Sequence, residues 1–173
     1  FVLNIANPTE TQKMGVGATS LALSIYGSLL EIDNRHTQEM EQYLLSKRLI
    51  NGSWTISPLV KSNLSLIYTT CYALQAFARS DFHKNFSIMD EGLKWLLQNV
   101  NPDGGWGLVQ RTPTHVHPTS EVLFLFSLCK GYVDHQVILR AKNVLIDMQA
   151  DNTYWLDDHG TPSIFLTALA YKA

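Results

Sequence analysis

The feature that most limits what this chain can fold into is that it repeats. Tyr43-Leu44-Leu45-Ser46-Lys47-Arg48-Leu49-Ile50-Asn51-Gly52-Ser53-Trp54 aligns residue for residue with Trp95-Leu96-Leu97-Gln98-Asn99-Val100-Asn101-Pro102-Asp103-Gly104-Gly105-Trp106. The leading aromatic, both leucines, the first glycine and the final tryptophan coincide. A third stretch, Ile146 to Trp155, keeps a glutamine (Gln149) and the tryptophan, with a turn that reads as shorter. The tryptophans fall at 54, 106 and 155, spacings of 52 and 49 residues. A period of this size means stacked supersecondary units, each too small to bury its own apolar face alone.

Between these stretches lie four apolar segments rich in small residues. They are Ala18-Thr19-Ser20-Leu21-Ala22-Leu23, Thr69-Thr70-Cys71-Tyr72-Ala73-Leu74, Thr119-Ser120-Glu121-Val122-Leu123-Phe124 and Pro162-Ser163-Ile164-Phe165-Leu166-Thr167. Each opens on hydroxyl or proline residues, which suit a helix N-cap and first turn. Each then runs apolar at nearly every position, the pattern of a helix buried on both sides. Glu39 to Lys47 and Asp90 to Leu97 instead mix charge with apolar positions, as a helix with one face in water does. Nothing alternates with the period of two that strands require. The expected helices are 15–31, 37–48, 64–80, 87–99, 118–131, 135–149 and 161–172, in the order inner, outer, inner, outer, inner, outer, inner.

At 173 residues and 46% hydrophobic composition, the chain can bury a core of its own. A formal net charge of -2, with scattered Lys and Arg, gives no footprint for nucleic acid. The apolar runs break well short of the roughly 20 residues a membrane span needs. Cys71 and Cys129 sit inside apolar runs and read as buried thiols, with no zinc-type spacing. They favour a reducing compartment, and a cytoplasmic location is the expectation. Three sequons, at Asn51, Asn63 and Asn85, carry little weight in a chain this rich in Asn, Ser and Thr. The chain opens on Phe1 without the charged and apolar regions of a signal peptide. It therefore reads as a single domain, residues 1–173, excised from a larger chain.

Leu97-Gln98 followed by Asp103-Gly104-Gly105-Trp106-Gly107 resembles the glutamine–tryptophan repeat of squalene–hopene and oxidosqualene cyclases. Related repeats occur in protein prenyltransferase β-subunits. The resemblance covers nearly the whole chain in helix order and period, and is specific in the Trp95–Gly107 copy. It implies an all-α fold: an α/α toroid-type array of about three and a half helical hairpins, partial or open, with inner helices lining a cavity and outer helices forming the rim. Within the repeat, Trp54, Gln98, Gly105, Trp106, Gln149 and Trp155 read as structural staples. A terminal Gln can tie loose backbone ends, Gly104 and Gly105 permit tight or left-handed turns, and Trp106 folds a large aromatic surface onto the neighbouring unit.

Chemistry is harder to place. Class II terpene cyclases carry a proton-donating Asp-x-Asp-Asp; the nearest sequence here, Trp155-Leu156-Asp157-Asp158, has Trp155 at the first aspartate position. Asp157 and Asp158 remain catalytic candidates, against a reading as loop residues helped by a helix dipole. Glu121 is a third candidate, against a role as first-turn dipole partner beside Thr119 and Ser120. The Asp-x-Cys of a prenyltransferase zinc site is absent from the sequence, and His115 with His117 offers too few ligands, so no metal and no cofactor are expected. His117, Tyr68, Cys71 and Phe124 are the expected cavity residues. Aligned inner-helix starts, Ser20, Cys71, Glu121 and Ile164, would stand at one level around the cavity.

Two functions are open at this point. One is a binding or scaffold module whose apolar concave surface holds a small molecule or peptide without catalysing. The other is a fragment of a terpene cyclase or prenyltransferase acting on isoprenoid substrates. Partners in either case would be further repeats, of the same chain or of a partner chain.

Overall fold

The computed structural model describes residues 8–29, 35–55, 65–81, 84–129, 131 and 133–173. Among them are seven α-helices: α1 (Pro8–Leu29), α2 (Arg35–Ser46), α3 (Ile67–Asp81), α4 (Phe86–Gln98), α5 (Val116–Leu128), α6 (His135–Asp147) and α7 (Ile164–Lys172). The described residues form no strand, only isolated bridges such as Arg48 with Trp54 and Ala150 with Tyr154. No helix among them is long and apolar enough to cross a membrane.

The helices separate into two compact units, Phe1–Leu93 and Lys94–Ala173. In the first, α1 packs on α3 and on α2. In the second, α5 packs on α7 and on α6. Each unit thus pairs successive inner helices and sets an amphipathic outer helix against the first of them. Burial follows the pattern of the sequence. In α5, Val116 and the run Pro118 to Val122 are all buried, whereas α6 buries only Ala141 and Leu145. The largest fully buried side chains include Trp54 and Phe77 in the first unit, Trp106 and Phe126 in the second.

Several expectations are corrected. The first helix starts at Pro8 rather than 15, and Gly15 (φ 82°, ψ 178°) breaks it where the sequence suggests a start. A residue with that φ is tolerable only without a Cβ, so the chain bends there. Its expected end at 31 lies outside the described residues, as do the expected α3 start at 64 and the Asn63 sequon. The helix expected at 118 starts at Val116, and the one expected at 161 starts at Ile164. Outer helices end one or two residues earlier than expected, because the chain turns towards the tryptophan sooner. Finally, α7 is not buried on both sides: Ile164 is 90% exposed, Phe165 58% and Tyr171 68%, and only Leu166 is buried. Its face away from α5 meets solvent.

Candidate functional site

The repeat's tryptophans make one junction three times. Trp54, Trp106 and Trp155 donate Nε1–H to the carbonyls of Leu44, Leu96 and Leu145 at 2.7, 2.8 and 2.8 Å, always ten residues back. Those carbonyls lie near outer-helix C-termini, where backbone acceptors lack intrahelical partners. The tryptophan backbone N–H then donates to a threonine hydroxyl on the next inner helix. The acceptors are Thr70, Thr119 and Thr167 Oγ1, at 3.0, 3.0 and 3.1 Å. An aromatic residue further along that helix meets each indole: Phe77, Phe126 and Tyr171, with centroids 6.1, 5.8 and 5.5 Å away. So one side chain closes an outer helix onto the inner helix that follows it.

The turn before each tryptophan is equally regular. Leu49 N–H donates to Ser53 O, Asn101 N–H to Gly105 O, and Ala150 N–H to Tyr154 O, each at 2.8 Å. Gly52 and Gly104 have φ of 86° and 102°. A Cβ on Gly104 would lie 2.9 Å from Arg140 Cβ, and one on Gly105 would strike Thr114. In the third copy Asp151 and Asn152 take positive φ instead, 49° and 55°.

This register corrects several readings of the sequence. The third turn is not shortened, since Leu145 to Trp155 is the same ten-residue step. Asp147, not Gln149, therefore matches Gln98. Gln98 is exposed and takes no part in the junction; Asn99 Nδ2 instead donates to Trp95 O at 2.7 Å. Thr70, Thr119 and Thr167 are not first-turn caps but second-turn acceptors for tryptophan, whereas Ser163 does cap α7 as expected. Aligned on those threonines, Cys71 corresponds to Ser120 and Ala168, so Glu121 and Ile164 do not share its level.

The catalytic candidates fall into different settings. Asp157 is spent on its own turn: Oδ1 accepts from His159 N–H (2.9 Å) and Thr161 N–H (3.0 Å), and Oδ2 from Thr161 Oγ1 (2.6 Å). The Thr161 bonds lead in holding its carboxyl below the usual range. A carboxylate held ionised is a poor proton donor. Asp158 is exposed and bonds His115 Nε2 at 3.0 Å. Trp155, at the place of the missing aspartate, is buried and committed to the Leu145 junction. Glu121 is buried as well, the sixth residue of α5 rather than a first-turn acid. Beside it, Ser120 Oγ is buried without a hydrogen-bond partner.

The expected cavity residues are divided between the units. In α3, Cys71 is fully buried and Tyr68 meets Tyr72 edge-on at 5.9 Å. In the second unit, His117 meets the Phe165 ring edge-on at 5.3 Å, and Lys172 Nζ stands 3.6 Å over the Phe124 ring. Burial first, then the neighbouring His115, lowers the His117 pKa from its ordinary value. Burial pushes the Cys129 thiol up to about 11. Among the described residues no three His, Cys, Asp or Glu side chains converge as a metal site would require. A hollow of about 470 Å³ does exist on α2, lined by Glu39, Gln42, Tyr43, Ser46 and Lys47, none of them a candidate residue.

Helix order and junctions together define an all-α, toroid-type repeat array, a fold that terpene cyclases share. In sequence, the chain is similar to the (+)-kolavenyl diphosphate synthase of Herpetosiphon aurantiacus, 37% identical over 65 residues, which is 38% of this chain and 11% of that protein. In fold it is similar to ent-copalyl diphosphate synthase from Streptomyces platensis, with a TM-score of 0.63 at 15% identity over 91% of this chain and 32% of the other. It is also similar to the type II terpene cyclase MstE from Scytonema, at 0.70 and 13% identity over 91% of this chain and 48% of that one. A polysaccharide lyase matches as well in fold, at 0.70 and 12% identity over 92% of this chain and 60% of the lyase. Fold likeness alone therefore does not choose between isoprenoid and saccharide chemistry. No protein-family model matches the chain.

Proposed function

We propose that the chain is a repeat segment of a terpene cyclase-like protein acting on isoprenoid diphosphates. The observation that carries this reading is the 37% identity over 65 residues to a kolavenyl diphosphate synthase, since it adds sequence to a fold that a lyase shares. On this reading the segment supplies helical wall, and the proton donor belongs to a part of the protein beyond residues 1–173. Asp157 does not fill that role, because its oxygens are occupied by the turn it closes. Two buried free thiols go with a reducing compartment such as the cytoplasm.

A second reading keeps the isoprenoid ligand and drops the catalysis: a binding module with an apolar inner surface. Trp155 supports it. The residue that displaces the first aspartate of the acid motif is built into a junction of the same kind as those Trp54 and Trp106 make. Equilibrium binding to the protein that carries this chain tests both readings against the saccharide alternative. Geranylgeranyl diphosphate is expected to bind saturably and an oligosaccharide not to. The reverse preference would overturn both.

A further inference from the structure

Three inner-helix starts do the same backbone work with different residues. Leu66, His115 and Ser163 donate their N–H to the carbonyls of Trp54, Trp106 and Trp155 at 3.2, 2.9 and 2.9 Å. Each stands four residues before the junction threonine. At the last of the three, Ser163 Oγ accepts from Leu166 N–H at 3.2 Å, the usual hydroxyl cap. At the middle one the cap is a histidine. His115 Nδ1 accepts from His117 N–H at 3.1 Å. A ring nitrogen that accepts an N–H carries no proton, so neutral His115 holds its proton on Nε2. That N–H donates to Asp158 Oδ1 at 3.0 Å. One imidazole thus joins the start of α5 to the Asp157–Thr161 turn that precedes α7.

We propose that His115 is a proton-operated latch between consecutive repeats. Neutral, it caps α5 and holds Asp158; protonated, it keeps Asp158 and releases the cap. In the imidazolium both ring nitrogens are donors, so Nδ1–H meets the His117 N–H without an acceptor between them. The Nε2–H bond to Asp158 meanwhile becomes an ion pair, screened because Asp158 is 76% exposed. A serine at this register, as at Ser163, would cap without responding to pH. Of the charged and titratable groups, Asp158 bonds the ring and His117 acts on it electrostatically, while Asp157 and His159 flank Asp158 in the turn before α7. Glu121 stands further along α5, and Arg111 and Asp103 belong to the loop before it. Asp103 reaches the neighbourhood through Thr114 Oγ1–H, which donates to its Oδ1 at 2.8 Å.

His117 is a second titratable ring beside the cap, so bulk stability does not separate the two histidines. Residue-resolved NMR on the chain does. Long-range ¹H–¹⁵N spectra are expected to show neutral His115 as the Nε2–H tautomer. On protonation of that ring, the His117 amide protection factor should fall about fivefold, the order of a lost N-cap. His115→Asn, which caps without titrating, should hold that protection constant through the same pH range. Asp158→Asn should leave the His117 response in place, because the cap bond does not pass through Asp158. An Nδ1–H tautomer, or His117 protection that ignores the His115 titration, overturns the latch. If His115→Asn does not fold, the tautomer and the Asp158→Asn spectra still decide it.

Discussion

At the scale of single residues, the junction ranks side chains in an order that their conspicuousness in the sequence does not. Thr119 accepts the Trp106 N–H and donates back to the Trp106 carbonyl at 3.2 Å, all within the core. Thr119→Val leaves that buried N–H without an acceptor. It should cost about 1–3 kcal/mol in urea unfolding, the ordinary penalty for a stranded buried donor. Trp106→Ala removes the Leu96 bond and the packing on Phe126 together, and should cost about 3–5 kcal/mol. Gln98→Ala, by contrast, should move stability by no more than about 0.5 kcal/mol, because an exposed side chain outside the junction has little to lose. The tryptophans were legible in the sequence because Trp155 is the one residue from Ile146 to Trp155 that both earlier copies share at the aligned position. The threonines were not. Near the start of an apolar run a hydroxyl reads as a cap, and only the ten-residue step from leucine carbonyl to indole shows that it stands one turn further in. Thiol reactivity belongs to this scale too. Cys71 and Cys129 are both buried, and Cys129 is held as the thiol by its raised pKa. Neither should react with a disulfide reagent at pH 8 until the protein is unfolded; fast native-state labelling would contradict the burial.

At the scale of elements, the inner and outer helices were legible from polarity, their ends less so. Helix α5 starts early because His115 turns its ring back to cap it, and histidine is not among the residues that announce a start. Helix α7 starts late because Asp157 to Thr161 close another turn first, with Gly160 N–H donating to Asp157 O. Its exposed Ile164 and Phe165 could not be foreseen from hydrophobicity, which reports what a face prefers and not what covers it. His117 gives this scale its pH dependence. Its folded pKa lies below the ordinary 6.5, so the unfolded chain binds the proton more readily. Its contribution is therefore complete above that value and is lost as pH falls from 6.5 through the folded pKa. Unfolding midpoints should drop across this range, and His117→Phe should flatten the drop. A midpoint that rises on acidification would contradict the burial of the ring against Phe165.

At the scale of the whole molecule, fold and function parted company in the sequence. Periodicity is a collective property of many side chains, and three tryptophans with their leucine and threonine partners over-determine it. Catalysis rests on a few atoms, and here the residues that resembled a motif serve the backbone. Asp157 closes a turn, Trp155 holds a junction, and Glu121 lies inside α5. What points to isoprenoids is the likeness to a diphosphate synthase over 65 residues, not any cluster among the described side chains. The most direct test is incubation of the protein that carries this chain, at full length, with geranylgeranyl diphosphate, followed by mass-spectrometric product analysis. The account predicts a cyclised product that keeps its diphosphate; substrate recovered unchanged at every enzyme concentration would contradict it.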